Sequence, residues 1–167
     1  MASIPYHKIL VGVDGSKQAR RAVIKAIASA KRNDAELIIA TVISSDKVVG
    51  IGSTRVGFGY VDQSVLDGVK EEFENLVAKY KDMAVESGIK KVQTIVKFGN
   101  AKVEIASQLS THYGVDLIIL GATGSNVVER MMMGSTASYV VTNAICDVLI
   151  IRTNLDNKVL TKNPKFE

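Results

Sequence analysis

The sequence predicts a single-domain α/β protein built on a doubly wound, five-stranded parallel sheet. Two observations support this prediction. Several short apolar runs are continuous rather than alternating, as expected for strands that helices cover on both faces. The stretches between them carry apolar residues at three- and four-residue spacing, so strands and helices alternate along the chain. The length of 167 residues fits one domain, and a hydrophobic content of 47% provides for a sizeable core.

The five predicted strands are short and mostly aliphatic. The run Val92–Lys97 alternates more than the others and is expected at an edge of the sheet. The other four are continuous and are expected to be buried on both faces: Lys8–Val13, Leu37–Ile43, Asp116–Leu120 and Val148–Arg152.

Helices are predicted in the gaps between these strands. Apolar stripes run from Ala19 to Ala30, from Leu66 to Ala84 and from Ile105 to Tyr113, and a last one continues from Ser135 to Ala144. Gly88 offers a stop for the second helix.

Two segments fit neither pattern. Residues 44–64 are rich in glycine and have no period, so they are expected to form a functional or disordered loop. Residues 153–167 form a polar tail that is expected to fray, which leaves residues 1–152 as the domain.

Composition argues against several classes of partner. The net charge is +4, but the basic residues are scattered or paired and no aromatic residues interleave with them, so no nucleic-acid interface is expected. No apolar run reaches the roughly 18 residues of a membrane span, and no signal peptide is recognised. A single cysteine, Cys146, suits a cytoplasmic protein. Neither His7 nor His112 has neighbours at ligand spacing, so no metal site is expected.

Candidate site residues cluster at one predicted edge of the sheet. Ligands of open α/β sheets bind at the carboxyl ends of the strands, where the loops 12–18 ("GVDGSKQ") and 121–126 ("GATGSN") are expected to meet. The helix beginning near Ser135 would offer free N–H groups to a phosphate. Each feature also has a structural explanation, as a turn with Ser16 capping the first helix, as tight-turn glycines, or as an ordinary cap at Ser135.

The spacing Gly121-x2-Gly124-x9-Gly134-Ser135 resembles the nucleotide-binding signature of the universal stress protein family, in its ATP-binding branch. The segments "KILVGVDGS" and "VLIIR" resemble that family's first and last strands, and the likeness covers about residues 5 to 152. It implies a Rossmann-like fold with strand order 3-2-1-4-5. The P-loop pattern GxxxxGK[ST] is absent.

The resemblance also implies roles for individual residues. Asp14 would meet the adenine or ribose, and the backbone of Val42 would recognise adenine. Glycines 121 and 124 would let the backbone approach the ribose and phosphates, and Mg²⁺ would bridge phosphate oxygens. The implied nucleotide-binding set is Gly12, Val13, Asp14, Val42, Gly121, Ala122, Gly124, Gly134, Ser135 and Thr136.

Three functions remain open from the sequence. The first is an ATP-binding regulatory switch in the stress response with slow or no hydrolysis, because the phosphate motif supplies no Lys or Arg clamp and no group that obviously positions water. The second is a slow ATPase or an autophosphorylating enzyme, with Ser135 or Thr136 as acceptor. The third is an interaction module that binds no nucleotide. Members of the family commonly dimerise through the last strand, so a homodimer through Val148 to Arg152 is expected.

Overall fold

The computed structural model describes residues 4–44, 62–123 and 133–158 of the chain. Within these ranges five parallel strands form one sheet in the order β3-β2-β1-β4-β5, which confirms the predicted fold and strand order. Every strand begins and ends within one residue of its predicted bounds. The strands are β1 Lys8–Gly12, β2 Glu36–Ile43, β3 Val92–Phe98, β4 Leu117–Gly121 and β5 Asp147–Ile151.

The described helices follow the predicted stripes. They are α1 Lys17–Asn33, α2 Gln63–Glu86, α3, which comprises Ala101–Val103, a π-helical turn Glu104–Gln108 and Leu109–Tyr113, and α4 Ser135–Asn143. Ser16 caps α1, because its side-chain oxygen accepts a hydrogen bond from the N–H of Ala19 at 3.1 Å. The chain leaves α1 through a left-handed residue, Asp34, with φ 51°.

Helices cover both faces of the sheet. On one face, α1 and α2 bury side chains such as Val23, Ala26 and Val77 against the central strands. On the other, α3 and α4 bury Ile105 and Val140 against the same strands. Because the central strands are buried on both sides, their residues are aliphatic without alternation, as the sequence indicated.

The beginning of the predicted tail is tied to α1. The ammonium of Lys25 donates to the hydroxyl of Thr153 at 2.9 Å and to the side-chain oxygen of Asn157 at 2.7 Å. The remaining tail residues, 159–167, and most of the 44–64 segment lie outside the described ranges. None of the helices that the structure describes combines the length and apolar character of a membrane span.

Candidate functional site

The turn after β1 is held by local hydrogen bonds. A carboxylate oxygen of Asp14 accepts from the N–H of Ser16 at 3.0 Å, and Gly15 adopts φ 84°, a left-handed conformation that glycine allows without strain. Ser16 in turn caps α1. The structural explanation of this turn is therefore confirmed, and it also fixes Asp14, which is half-buried, at the carboxyl edge of the sheet.

The backbone of Val42 lies over the end of β1. Pairing between β1 and β2 stops at Gly12 and Ala40, and one further bond joins the N–H of Val13 to the carbonyl of Ala40 at 2.9 Å. The backbone N–H and C=O groups of alternate residues point to the same side of a strand. Those of Val42 therefore face the β1 side, as those of Ala40 do. The side chain of Thr41 donates to the carbonyl of Val13 at 3.0 Å and holds the two strand ends together. Val42 therefore lies beside the turn that holds Asp14.

Packing within the protein explains why two positions of the site are glycine. A Cβ atom on Gly121 would lie 3.0 Å from the backbone carbon and Cβ of Gln18, and one on Gly12 would lie 2.6 Å from a methyl carbon of Leu120. Gly121 thus lets the first turn of α1 approach the end of β4. From the sequence alone, this glycine is explained by the close approach of a ligand. In the structure, the protein's own chain makes at least part of that approach.

Ala122 connects the end of β4 to the start of α4. Its N–H donates to the carbonyl of Ile151 at 2.9 Å, and its carbonyl accepts from the N–H of Gly134 at 2.7 Å. Gly134 occupies the cap position of α4, so the interpretation of Ser135 as an ordinary cap is wrong.

The amino terminus of α4 presents backbone N–H donors at this edge. The first bond along the helix joins the N–H of Ser138 to the carbonyl of Gly134, so the N–H groups of the three residues between have no partner of that kind. Among the residues that the structure describes, no side-chain cap bond is found at this terminus. Ser135 is exposed, Thr136 is half-buried, and Ala137 is buried in the core. An anion at this terminus would meet N–H groups and the positive end of the helix dipole.

The structure thus brings nine of the ten predicted site residues to one edge of the sheet. The tenth, Gly124, lies outside the described ranges. No group of three or more metal-ligating side chains occurs among the residues that the structure describes. His7 contacts one carboxylate, that of Asp116, at 3.3 Å.

Sequence reasoning missed a buried charge at the same edge. Glu104, only 7% exposed, forms an ion pair of 2.9 Å with Lys97 at the end of β3. With its amide oriented to satisfy both partners, Gln108 donates to both carboxylate oxygens at 3.0 and 3.2 Å. Lys97 is the register partner of Val42, so this cluster adjoins the site. A Glu in a short amphipathic helix ordinarily faces water, and the sequence therefore gave no signal for its burial.

Tyr80 of α2 lies behind the Asp14 turn. Burial raises the pKa of its phenol above the ordinary value of 10.0, the cation of Arg20 opposes that shift, and the carboxylate of Asp14 adds to it. The hydroxyl therefore remains neutral at physiological pH and brings no negative charge to the site.

A parallel sheet in this order, with glycine-rich turns and a helix amino terminus at its carboxyl edge, defines a Rossmann-like α/β protein. The chain belongs to the universal stress protein family, whose sequence profile matches residues 5–152.

Individual relatives agree with this assignment. A relative from Staphylococcus epidermidis that carries the universal stress protein name is 40% identical over 150 residues, which are 90% of this chain and 86% of the relative. The solved universal stress protein UspA from Lactobacillus plantarum superposes with a TM-score of 0.76 at 29% identity, over 89% of this chain and 99% of that one. A universal stress protein solved in complex with cAMP shares the fold, with a TM-score of 0.65 at 23% identity over 89% of this chain and 98% of that one.

Proposed function

We propose that this universal stress protein binds ATP with Mg²⁺ and acts as a regulatory nucleotide switch in the cytoplasm, with slow or no hydrolysis. The observation that carries the proposal is the bond between Gly134 and Ala122, because it fixes the amino terminus of α4 at the end of β4, on the same sheet edge as the turn of Asp14. A nucleotide has a base and an anionic end, and this edge offers groups suited to each. The cAMP complex of a structural relative supports an adenine ligand.

The assignment of roles follows the geometry of the edge. The backbone of Val42 would recognise the base, with Gly12, Val13 and Asp14 lining the same side. Around the other side, Gly121, Ala122 and Gly124 would approach the ribose and phosphates, and Gly134, Ser135 and Thr136 would hold the terminal phosphates.

The metal ion would be held mainly by the nucleotide. Mg²⁺ prefers oxygen ligands and usually keeps several waters, so phosphate oxygens and the hydroxyls of Ser135 and Thr136 fit its chemistry. Bound there, it would neutralise phosphate charge. The helix terminus and its hydroxyls are neutral, so we expect turnover far below the roughly 1–10³ per second of typical enzymes.

Mass spectrometry of the freshly purified protein tests the proposal. Native spectra before and after denaturation are expected to release ATP or ADP, and calorimetry of the emptied protein is expected to show ATP binding that weakens when Mg²⁺ is chelated. A protein that carries no nucleotide and ignores ATP with Mg²⁺ would instead be an interaction module. Added phosphate on Ser135 or Thr136 after incubation with ATP would favour the autophosphorylating enzyme.

We also propose that the protein forms a homodimer through β5 and the residues Val148 to Arg152. β5 pairs with β4 on one side and is the last strand of the described sheet. Its own Leu149 is exposed, as are Val141 and Ile145 in the chain just before it. An apolar strand at a sheet edge is a template for pairing with a second chain.

A further inference from the structure

Helix α1 concentrates positive charge. It contains six basic residues and no acidic residue, whereas the whole chain has a net charge of +4, so the remainder is net negative. At 100° per residue the basic side chains share the outward side of the helix, opposite the buried positions such as Ala22 and Ala26. The sequence-based interpretation of scattered cations is therefore wrong for this helix. The basic residues are Lys17, Arg20, Arg21, Lys25, Lys31 and Arg32.

The positive charges stabilise the carboxyl end of α1 and destabilise its amino end. Lys31 and Arg32 lie in the last turn, where the negative end of the helix dipole stabilises cations. Lys17 is the first residue of the helix, where the dipole disfavours a cation, and the first turn of the helix contains no acidic residue. Helix stability therefore accounts for the cations at the carboxyl end of α1 but not for Lys17.

Lys17 lies between two parts of the candidate site. Before it, Ser16 donates its N–H to Asp14. After it, the backbone of Gln18 lies 3.0 Å from the position of a Cβ on Gly121. The side chain of Lys17 is exposed, and none of the ion pairs found within the described ranges involves it. Its four-carbon stem is flexible, so the ammonium has access to the space above the carboxyl edge.

We infer that Lys17 is the cation of the phosphate end of the site and that it makes the site prefer nucleoside triphosphates over monophosphates. This inference rests on the proposed function. The glycines and hydroxyls of the signature are neutral, so a neighbouring ammonium would add positive charge that a triphosphate meets and a monophosphate does not. Asp14 lies on the other flank, so a phosphate chain directed toward Gly121 and α4 would lead away from its carboxylate.

Calorimetric titration of ATP and AMP into wild type, Lys17→Gln and Lys31→Gln tests this inference. Lys31 is the matched control, because it is an exposed lysine on the same helix. It lies roughly 21 Å from Lys17 along the helix axis, which is beyond the Debye length of about 8 Å at physiological salt. Lys17→Gln is expected to weaken ATP binding about tenfold and AMP binding much less. Lys31→Gln is expected to change neither, and Lys17→Arg is expected to restore ATP affinity.

The outcomes separate this inference from the proposed function. If wild type binds ATP but Lys17→Gln leaves the ratio of ATP to AMP affinity unchanged, or Lys31→Gln lowers it equally, the inference about Lys17 is wrong and the proposed function stands. If wild type binds no adenine nucleotide, the proposed function fails and this inference fails with it. Thermal denaturation checks the alternative of a folding role: Lys17→Gln is expected to melt at or slightly above the wild-type temperature, because it removes an unfavourable charge from the helix terminus.

Discussion

The N–H of Gly134 donates to the carbonyl of Ala122 at 2.7 Å, and this single bond joins the start of α4 to the end of β4. Ala122 also donates to Ile151, so one residue connects two strands and a helix. Because Ala122 is buried, both bonds are shielded from water. The position of the helix terminus is thereby set by the sheet.

Replacing Gly134 with Pro is expected to disconnect this junction. The φ of Gly134 is −61°, which proline adopts, but proline has no N–H to donate to Ala122. We expect a loss of about 1–3 kcal/mol in the free energy of unfolding in urea, together with weaker ATP binding. Gly134→Ala keeps the N–H and is the control. Equal losses in the two variants would show that the bond is unimportant.

Gly121→Ala is expected to destabilise the protein by about 1–3 kcal/mol, because the new methyl group would press on the backbone of Gln18, which cannot rotate away. Gly68→Ala is the control, since nothing lies within 4 Å of its added carbon and it is inside α2. Gly68→Ala is expected to increase the free energy of unfolding by roughly 0.5–1 kcal/mol. Chemical denaturation of both variants measures the contrast, and a neutral Gly121→Ala would contradict the close approach of α1.

The Lys97–Glu104 pair is expected to couple more strongly than a surface pair. Lys97→Met would leave a buried carboxylate with only the amide of Gln108, at an expected loss of about 1–3 kcal/mol. A double-mutant cycle with Glu104→Gln measures the coupling. The exposed pair Lys70–Glu74, at 3.6 Å on α2, is the reference and should couple by about 0.3–0.5 kcal/mol. Similar coupling in both cycles would mean that burial of Glu104 adds nothing.

Ile150→Pro is expected to give a monomer that remains folded. The carbonyl of Ile151 accepts a hydrogen bond from the N–H of Ala122, at the end of β4. Because backbone groups alternate in direction along a strand, the N–H of Leu149 faces β4 and the N–H of Ile150 faces the open edge. Proline at an edge position that faces away from the sheet is tolerated. Leu149→Pro should unfold the end of the sheet instead. Analytical ultracentrifugation reports the mass, and an unchanged dimer for Ile150→Pro would locate the interface elsewhere.

Stability is expected to fall in alkali partly through Cys146. Burial raises the pKa of its thiol above the ordinary 9.0, and the carboxylates of Asp116 and Asp147 raise it further. As pH rises past about 9, the unfolded chain loses its thiol proton first, so the free energy of unfolding decreases until the folded thiol ionises as well. Cys146→Ser should decline less over this window. Identical slopes for the two proteins would mean that the thiol ionises equally in both states.

The fold was predictable because its signals are local. Continuous aliphatic runs such as that of β2 follow from burial on both faces, and periodic stripes such as that of α1 follow from burial on one. The spacing from Gly121 to Gly134 and Ser135 identified the edge of the sheet at which β4 and α4 meet. These patterns depend on sequence alone, since each repeats within a single strand, helix or loop.

Other features depend on packing between distant segments. Glu104 is buried because α3 packs against the end of β3, and Gly121 is close to Gln18 because α1 packs against β4. Lys17 lies near Gly121 because α1 packs against β4, although the two elements are more than eighty residues apart in the chain. The sequence by itself determined the strands, the helices and the family, and it predicted the edge of the sheet for the site. Tertiary structure alone decided which charges are buried, which glycines serve packing and which cation lies beside the end of β4, because these depend on contacts that no local pattern encodes.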